Sequence, residues 1–188
     1  LHEMTVVNLT LGGGKRKLLV TDDLILDKAV FEDWRGIYKN VWSRPESARY
    51  MLWKVTEGES EARIRIRKTM EFQKNHDTYL VYEKESGEPI GFAGVEKLSD
   101  HVYQEAGICL GPEYVGRGFG KQILSGLIGY CRRTFDAEEF YYSTREENKA
   151  SVGLARSLGF ECISSEVKVD GRDGHSYHLL KYRLKLKK

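Results

Sequence analysis

Cysteine and proline are scarce in this chain, three of each among 188 residues. The odd, sparse cysteine set (Cys109, Cys131 and Cys162) argues against a disulfide framework and fits a reducing compartment, so a cytoplasmic location is expected. The N-terminus lacks the charged-then-apolar pattern of a secretion signal. The Asn8-Leu9-Thr10 sequon therefore carries no glycosylation meaning. No apolar run approaches the ~18 residues that a membrane span requires, and no membrane partner is expected. Charge of one sign is also missing. The 30 Lys and Arg against 28 Asp and Glu leave a net +2, which gives no global electrostatic case for nucleic acid.

What is present is a globular composition, 40% hydrophobic and 31% charged. The length predicts one domain over residues 1–188, large enough to bury roughly 70% of its chain surface. Met4 is expected as the natural start, with Leu1 to Glu3 an added remnant. Basic residues gather in two places. Lys15-Arg16-Lys17 follows three glycines and reads as a charged turn. Lys181, Arg183, Lys185 and Lys187 alternate with Tyr182, Leu184 and Leu186, which is strand period two with one wet face. It reads as a solvated edge strand guarded by lysines.

Periodicity orders the elements. Leu18 to Leu26 is strand-like with an interruption at Thr21-Asp22-Asp23. Lys28 to Asn40 predicts a helix from Val30, Trp34, Ile37 and Val41, spaced three or four apart. A short helical piece follows the break at Pro45. Glu59 to Gln73 carries both a strand pattern and a helix pattern, and its length without Gly or Pro favours helix. Strands are predicted over Thr78 to Tyr82, Ile90 to Val95 and Val102 to Leu110, the first two joined by the Ser86-Gly87-Glu88-Pro89 turn. A helix over Gln122 to Arg133, a strand over Phe140 to Thr144 and a helix over Asn148 to Leu158, stopped by Gly159, come next. Phe160 to Val169 and Tyr177 to Leu186 close as a hairpin around Asp170 to Gly174. The expected architecture is α/β (α+β), a single mixed, largely antiparallel central sheet flanked by helices.

The most telling stretch runs from Leu110 through Lys121, where Gly116, Gly118 and Gly120 alternate before a helix. Glycines let backbone N–H groups crowd a ligand, and a helix N-terminus adds partial positive charge, so the combination is a phosphate cradle. A Walker A loop is excluded, since Gln122 follows Gly120-Lys121 and Val115 replaces the first glycine. A Rossmann fingerprint is excluded by a third glycine one position early. The pyrophosphate loop of acyl-CoA transferases fits the spacing.

With that loop, Pro89-Ile90-Gly91-Phe92-Ala93-Gly94-Val95, Glu105-Ala106-Gly107-Ile108, Asn148 with Ser151, Leu158-Gly159-Phe160 and the Arg44 to Trp53 segment, nearly the whole chain resembles the GNAT superfamily of N-acetyltransferases. It is most similar to the branch of the ribosomal-protein N-terminal acetylases RimJ and RimL. The resemblance implies the GNAT acyl-CoA N-acyltransferase fold and acetyl-CoA as cosubstrate, with no metal. It implies direct attack by a primary amine, from a protein N-terminus or a small molecule, in a ternary complex. Glu105 stands where the superfamily often places a catalytic base, with a water relay as the alternative. The resemblance also implies a splay between Ile108–Leu110 and Tyr141–Thr144 for the pantetheine arm, with Gly111-Pro112 ending the pairing there. A backbone N–H near Cys109 or Leu110 would hold the oxyanion. The diphosphate would lie on the N–H groups of Val115, Gly116, Arg117, Gly118, Phe119, Gly120 and Lys121. Arg117 and Lys121 either add charge there or are ordinary exposed cations. Asn148 either contacts pantetheine or caps its helix.

Two departures from the family pattern stand out. Val115 replaces a usual Gln or Arg, and Ala155 replaces the Tyr that protonates the leaving thiolate. The acid is therefore another residue or water, with Ser157 and Tyr142 nearby in sequence. Cys109 reads as a buried strand residue rather than a nucleophile, and His175 and His178 make no metal set. Trp42, Tyr50 and Trp53 read as core or as an acceptor pocket. Glu57, Glu59 and Glu61 read as a helix start or as an acidic acceptor groove. The rival functions are a non-catalytic acyl-CoA-binding module and a ribosome- or RNA-associated protein. The oligomeric state is left open between monomer and homodimer.

Overall fold

The described residues hold nine strands: β1 (Thr5–Leu11), β2 (Gly14–Val20), β3 (Leu24–Asp27), β4 (Asp77–Glu83), β5 (Pro89–Ser99), β6 (Val102–Leu110), β7 (Glu139–Arg145), β8 (Glu161–Val169) and β9 (Ser176–Lys185). They form one sheet in the order β1-β2-β3-β4-β5-β6-β7-β9-β8. The computed structural model describes residues 3–186. Leu1 and His2 of the expected remnant, and Lys187 of the basic tail, lie outside the described residues. Every strand pairing is antiparallel except that of β6 with β7. A parallel pair needs a crossover, and α4 (Phe119–Phe135) supplies it. The other helices are α1 (Trp34–Ile37), α2 (Pro45–Ala48), α3 (Glu59–Gln73) and α5 (Lys149–Ser157). The mixed, largely antiparallel sheet read from the sequence is the observed architecture.

The sheet separates two cores. On one face α4 and α5 pack Ile123, Leu124, Leu127 and Val152 against Tyr79, Phe140 and Tyr142. Ile123, Leu124 and Leu127 are fully buried, and each contributes at most ~1.5–3 kcal/mol by removing apolar area from water. On the other face α1 and α3 pack Trp34, Ile37, Ala62 and Ile66 against Leu80 and Cys109. Side chains of β6 alternate between the two, with Ile108 and Leu110 toward α4 and Cys109 toward α3. Among the described residues, no helix is long and apolar enough to cross a membrane.

Three expectations are corrected. Lys15-Arg16-Lys17 lies on β2, not in a turn, which Gly12 and Gly13 make with φ of 56° and 84°. The charges stay in the strand because Arg16 and Lys17 each meet a distant partner: Arg16 Nε donates to Asp27 at 3.0 Å, and the Lys17 ammonium sits 4.8 Å over the Tyr130 ring. The helix expected over Lys28 to Asn40 starts at Phe31 and is broken into a 3₁₀ turn, α1 and a π turn over Tyr38–Trp42. The Lys28 ammonium donates to the carbonyls of His76 and Thr78, and Asp33 accepts from the Val30 N–H. These bonds hold 28–30 extended against the sheet. Finally, β9 is not an edge strand. It pairs with β7 on one side and β8 on the other, and β8 is exposed along its whole length.

Candidate active site

The site begins where two parallel strands part. β6 and β7 pair only at Val102–Glu139, Tyr103–Phe140 and Gln104–Tyr141. Beyond that point β6 stays registered on β5 as far as Leu110, and β7 on β9 as far as Arg145. The gap between them is therefore a fork built into a rigid sheet. A bulge marks its apex: Ala93 pairs with Ile108 but Val95 pairs with Glu105, so β6 has one residue more than β5 across this step. Gly107 within the bulge has φ 103°, a conformation that favours glycine. Pairing with β7 thus ends at Gln104, earlier than the expected stop at Gly111-Pro112, and Ile108–Leu110 is splayed from β7 as expected. The fork opens into a cavity of about 460 Å³ whose walls include Phe92, Glu105, Gly107, Tyr142, Asn148 and Ser151.

Glu105 closes the apex of the fork. Its carboxylate accepts from the Gly107 N–H at 2.5 Å and makes a long contact, 3.5 Å, with the Ser143 N–H of the opposite strand. Burial pushes its pKa above the ordinary carboxylate range, and the two N–H groups oppose that shift only in part. A carboxyl so placed is a candidate for taking up a proton near neutral pH.

The neighbouring groups sort by direction. Gly111 N–H donates to the Ile90 carbonyl at 2.8 Å. Alternation along the ladder then turns the Cys109 N–H toward β5 and leaves those of Ile108 and Leu110 facing the fork. Of the two expected oxyanion donors, Leu110 faces the gap and Cys109 does not. The Cys109 thiol is buried, donates to the Ser47 carbonyl at 3.5 Å and is pushed up to about 12 by that burial. It has no thiolate character for nucleophilic attack. Ala155 is fully buried in the core, and Ser157 is exposed with its hydroxyl on the Leu154 carbonyl. Tyr142 instead lines the fork, as does Ser151. Burial raises the Tyr142 pKa to about 12, with the Glu105 charge adding to the shift.

The glycine loop leads from β6 into α4. Gly116 and Gly118 have φ of 75° and 80° with open space where a Cβ would stand, so backbone conformation and not crowding calls for glycine. Gly118 begins α4 without a side-chain cap. The first N–H groups of the helix, at Phe119, Gly120 and Lys121, are thereby left for an anion. Lys121 and Val115 are exposed here. Arg117 turns back: it pairs with the buried Glu83 at 2.9 Å and lies 5.2 Å over the Phe119 ring, so its charge is partly neutralised within the protein. Asn148 caps α5, its side chain accepting from the Ser151 N–H at 3.3 Å, and it also lines the fork.

One element that sequence reading missed fixes the far wall. Asp170 in the β8–β9 turn is buried and paired with Arg145 and Arg172, at 2.9 and 2.7 Å. Hydrogen bonds from Arg172 first, then from Arg145, hold its pKa well below the usual carboxylate range. Arg172 also donates to the carbonyls of Ala48 and Trp53, at 2.7 and 3.0 Å. The C-terminal hairpin therefore pins the segment carrying Tyr50 and Trp53 over the fork. The donor atoms of Asp170, Asp173 and His175 do lie within 4.8 Å of one another. The two guanidiniums already supply the positive charge that a cation would bring there. Trp42 is buried in the α3-side core, and Trp53 and Tyr50 line the fork or its neighbouring cavity. Glu59 pairs with Arg63, and Glu61 accepts from the Glu57 N–H at 2.7 Å. These acids shape the start of α3 rather than an acceptor groove.

Residues 23–161 match the acetyltransferase (GNAT) domain family. The chain is 30% identical to an uncharacterized N-acetyltransferase, p20, of Bacillus licheniformis, over 87% of this chain and 96% of that protein. Its fold is similar to that of the microcin C7 self-immunity acetyltransferase MccE, solved with acetyl-CoA and AMP. There the TM-score is 0.75 and the identity 18%, over 88% of this chain and 93% of the other. It is also similar to RimL, a ribosomal L7/L12 alpha-N-protein acetyltransferase, with TM-score 0.74 and 17% identity over 96% and 100% of the two chains.

Proposed function

The chain belongs to the GNAT acetyltransferase family, and from that premise we propose that its fork carries acetyl transfer from acetyl-CoA to a primary amine by direct attack in a ternary complex. One observation supports this above the others: a half-buried carboxylate stands at the apex of a strand fork that leads to an uncapped helix N-terminus. In this reading the diphosphate rests on the N–H groups of Val115 to Lys121. The pantetheine arm runs along Ile108 to Leu110, past Asn148. An N–H of Ile108 or Leu110 holds the thioester carbonyl as negative charge develops on its oxygen.

A lysine amine or α-amine is mostly protonated at neutral pH, with pKa ~10.4 or ~8. Glu105 takes that proton, directly or through one water. The neutral nitrogen then attacks the carbonyl carbon, the C–N bond forms and the C–S bond breaks. Tyr142, protonated at neutral pH, donates to the departing sulfur in place of the tyrosine absent at Ala155, and regains a proton from the new amide nitrogen through water, while the proton on Glu105 passes to solvent.

The test is CoA release, followed with a thiol reagent, across a panel of primary amines between pH 6 and 10. Amine-dependent release is expected, growing as the free amine fraction grows. A chain that binds acetyl-CoA yet releases no CoA to any amine at any pH is a binding module and not a transferase.

A further inference from the structure

A second cavity, about 410 Å³, lies beside the fork on the α3 side of the sheet. Trp42, Trp53, Arg65, Thr78, Phe92 and Ala106 are among its walls. Trp53, Phe92 and Ala106 also line the fork cavity, so the two spaces share a wall at the bulge next to Glu105.

The charge in this cavity is unbalanced. Arg16, Arg117, Arg145, Arg172 and Arg183 each pair with a carboxylate. Arg65 does not. Among the described residues the one hydrogen bond of its guanidinium goes to the Thr56 hydroxyl, at 2.8 Å. Its guanidinium lies 4.5 Å from the Trp42 ring centre and 4.7 Å from that of Trp53. Burial pulls its pKa down to about 10, with only Cys109 and Glu61 opposing. It therefore stays charged at neutral pH, and it is held in place without an anion. Two more polar atoms of this wall, Trp53 Nε1 and Thr78 Oγ1, are buried with no hydrogen-bond partner. Buried donors left unpaired are costly. An acceptor atom inside the cavity would relieve both once those side chains turn toward it, and Lys68 adds positive charge to the lining.

We propose that this cavity seats the acceptor, and that the acceptor is a small amine carrying a carboxylate, bound at Arg65 while its amine passes Ala106 toward Glu105. The inference rests on the acetyl-transfer reading above. A carboxylate presents two oxygens with four acceptor sites, and an arginine fork matches them in a planar, bidentate way. The indoles of Trp42 and Trp53 and the ring of Phe92 give the body of the molecule an apolar, largely aromatic wall. The volume suits a compact molecule, and the polar atoms lie on its wall rather than along a groove.

Two matched pairs of amines test this, phenylalanine against phenethylamine and 5-aminovalerate against pentylamine, with the amidated dipeptide Phe-Gly added. CoA release gives kcat and KM, and thermal melts with phenylacetate report binding without turnover. The carboxylate member of at least one pair should be favoured tenfold or more in kcat/KM, with the difference in KM. Arg65→Gln should abolish that preference and the phenylacetate shift. Arg65→Lys should restore part of both, and Trp53→Phe, which keeps a ring but loses the N–H, should weaken both. Melts of each variant without ligand confirm folding. Equal rates within both pairs, no melt shift from phenylacetate, or a preference for the amidated dipeptide over every carboxylate would overturn the proposal. If no amine releases CoA but phenylacetate still stabilises the wild type and not Arg65→Gln, the anion site stands and the transferase reading falls.

Discussion

Replacing Glu105 with glutamine separates a base from a scaffold. The amide in Glu105→Gln would keep an oxygen for the Gly107 N–H, which the carboxylate now binds at 2.5 Å, and would lose little at the long 3.5 Å contact with Ser143. It cannot take up a proton. A positioned base contributes about 10²–10⁴-fold, so kcat/KM should fall by that factor, ~2.7–5.4 kcal/mol at 1.36 kcal/mol per decade. The structural consequence has the opposite sign. Burial raises the folded-state pKa of Glu105, so the site favours folding below the ordinary glutamate value of ~4.3. That contribution is lost as pH rises through the raised folded value. Ionisation in the folded state leaves the wild type with a desolvated charge that Glu105→Gln lacks, so the variant should lose less urea stability than the wild type as pH rises from 5 to 8. The assay pairs CoA-release profiles from pH 5 to 10 with urea unfolding at pH 5 and 8. The acidic limb of the wild-type profile should be absent from the variant's. Retention of wild-type kcat/KM with an unchanged profile would refute the assignment and leave proton removal to water.

Other substitutions address the remaining groups. Tyr142→Phe keeps the buried ring and should slow kcat by about 10²-fold, leaving the acetyl-CoA-induced melt shift intact; an unchanged kcat would leave thiolate protonation to water. Cys109→Ala keeps the main chain along the fork. It should leave kcat of the same order and give no acyl-enzyme burst, because the thiol is buried and protonated; collapse of kcat in a folded variant would point to covalent catalysis. Asp170→Asn removes the charge shared by Arg145 and Arg172 and should lower Tm. The depressed folded pKa makes this contribution present above the unfolded value of ~3.9 and lost only as pH falls below it toward the folded value. The Tm gap should therefore hold from pH 8 to about pH 4 and shrink below; a gap that closes by pH 5 would contradict the reading.

The parts of the fold legible in the sequence are those with local punctuation. Gly87 and Pro89 mark one turn, Gly116 and Gly118 open α4, and Gly159 follows α5, so the run from β4 to α5 was readable from spacing. The β1–β2 hairpin was hidden because Arg16 and Lys17 are strand charges neutralised by Asp27 on β3 and Asp77 on β4. The interior place of β9 depends on a long-range pairing with β7 that periodicity does not report. At the site, the residue types of the loop and Glu105 were legible. Two features were not: the bulge at Ala106-Gly107 that opens the fork early, and the unpaired state of Arg65. Both depend on what stands across the sheet or the cavity. A glycine within the strand at 107 was the available signal for the first, since glycine in a strand interior often marks a bulge.

The most direct measurement is a thermal melt with and without saturating acetyl-CoA, on the wild type and on Gly118→Glu. A ligand that binds only the folded chain at ~100 times its Kd adds about 2.7 kcal/mol. For a chain of this length that is a rise of roughly 5–10 °C. Gly118 has φ 80° with free space at its Cβ position, so the variant carries a strained backbone and a carboxylate in the anion cradle. The account predicts a clear rise in the wild type that Gly118→Glu loses. No rise in a folded wild type, or an equal rise in both proteins, would contradict the placement of the cosubstrate on the glycine loop.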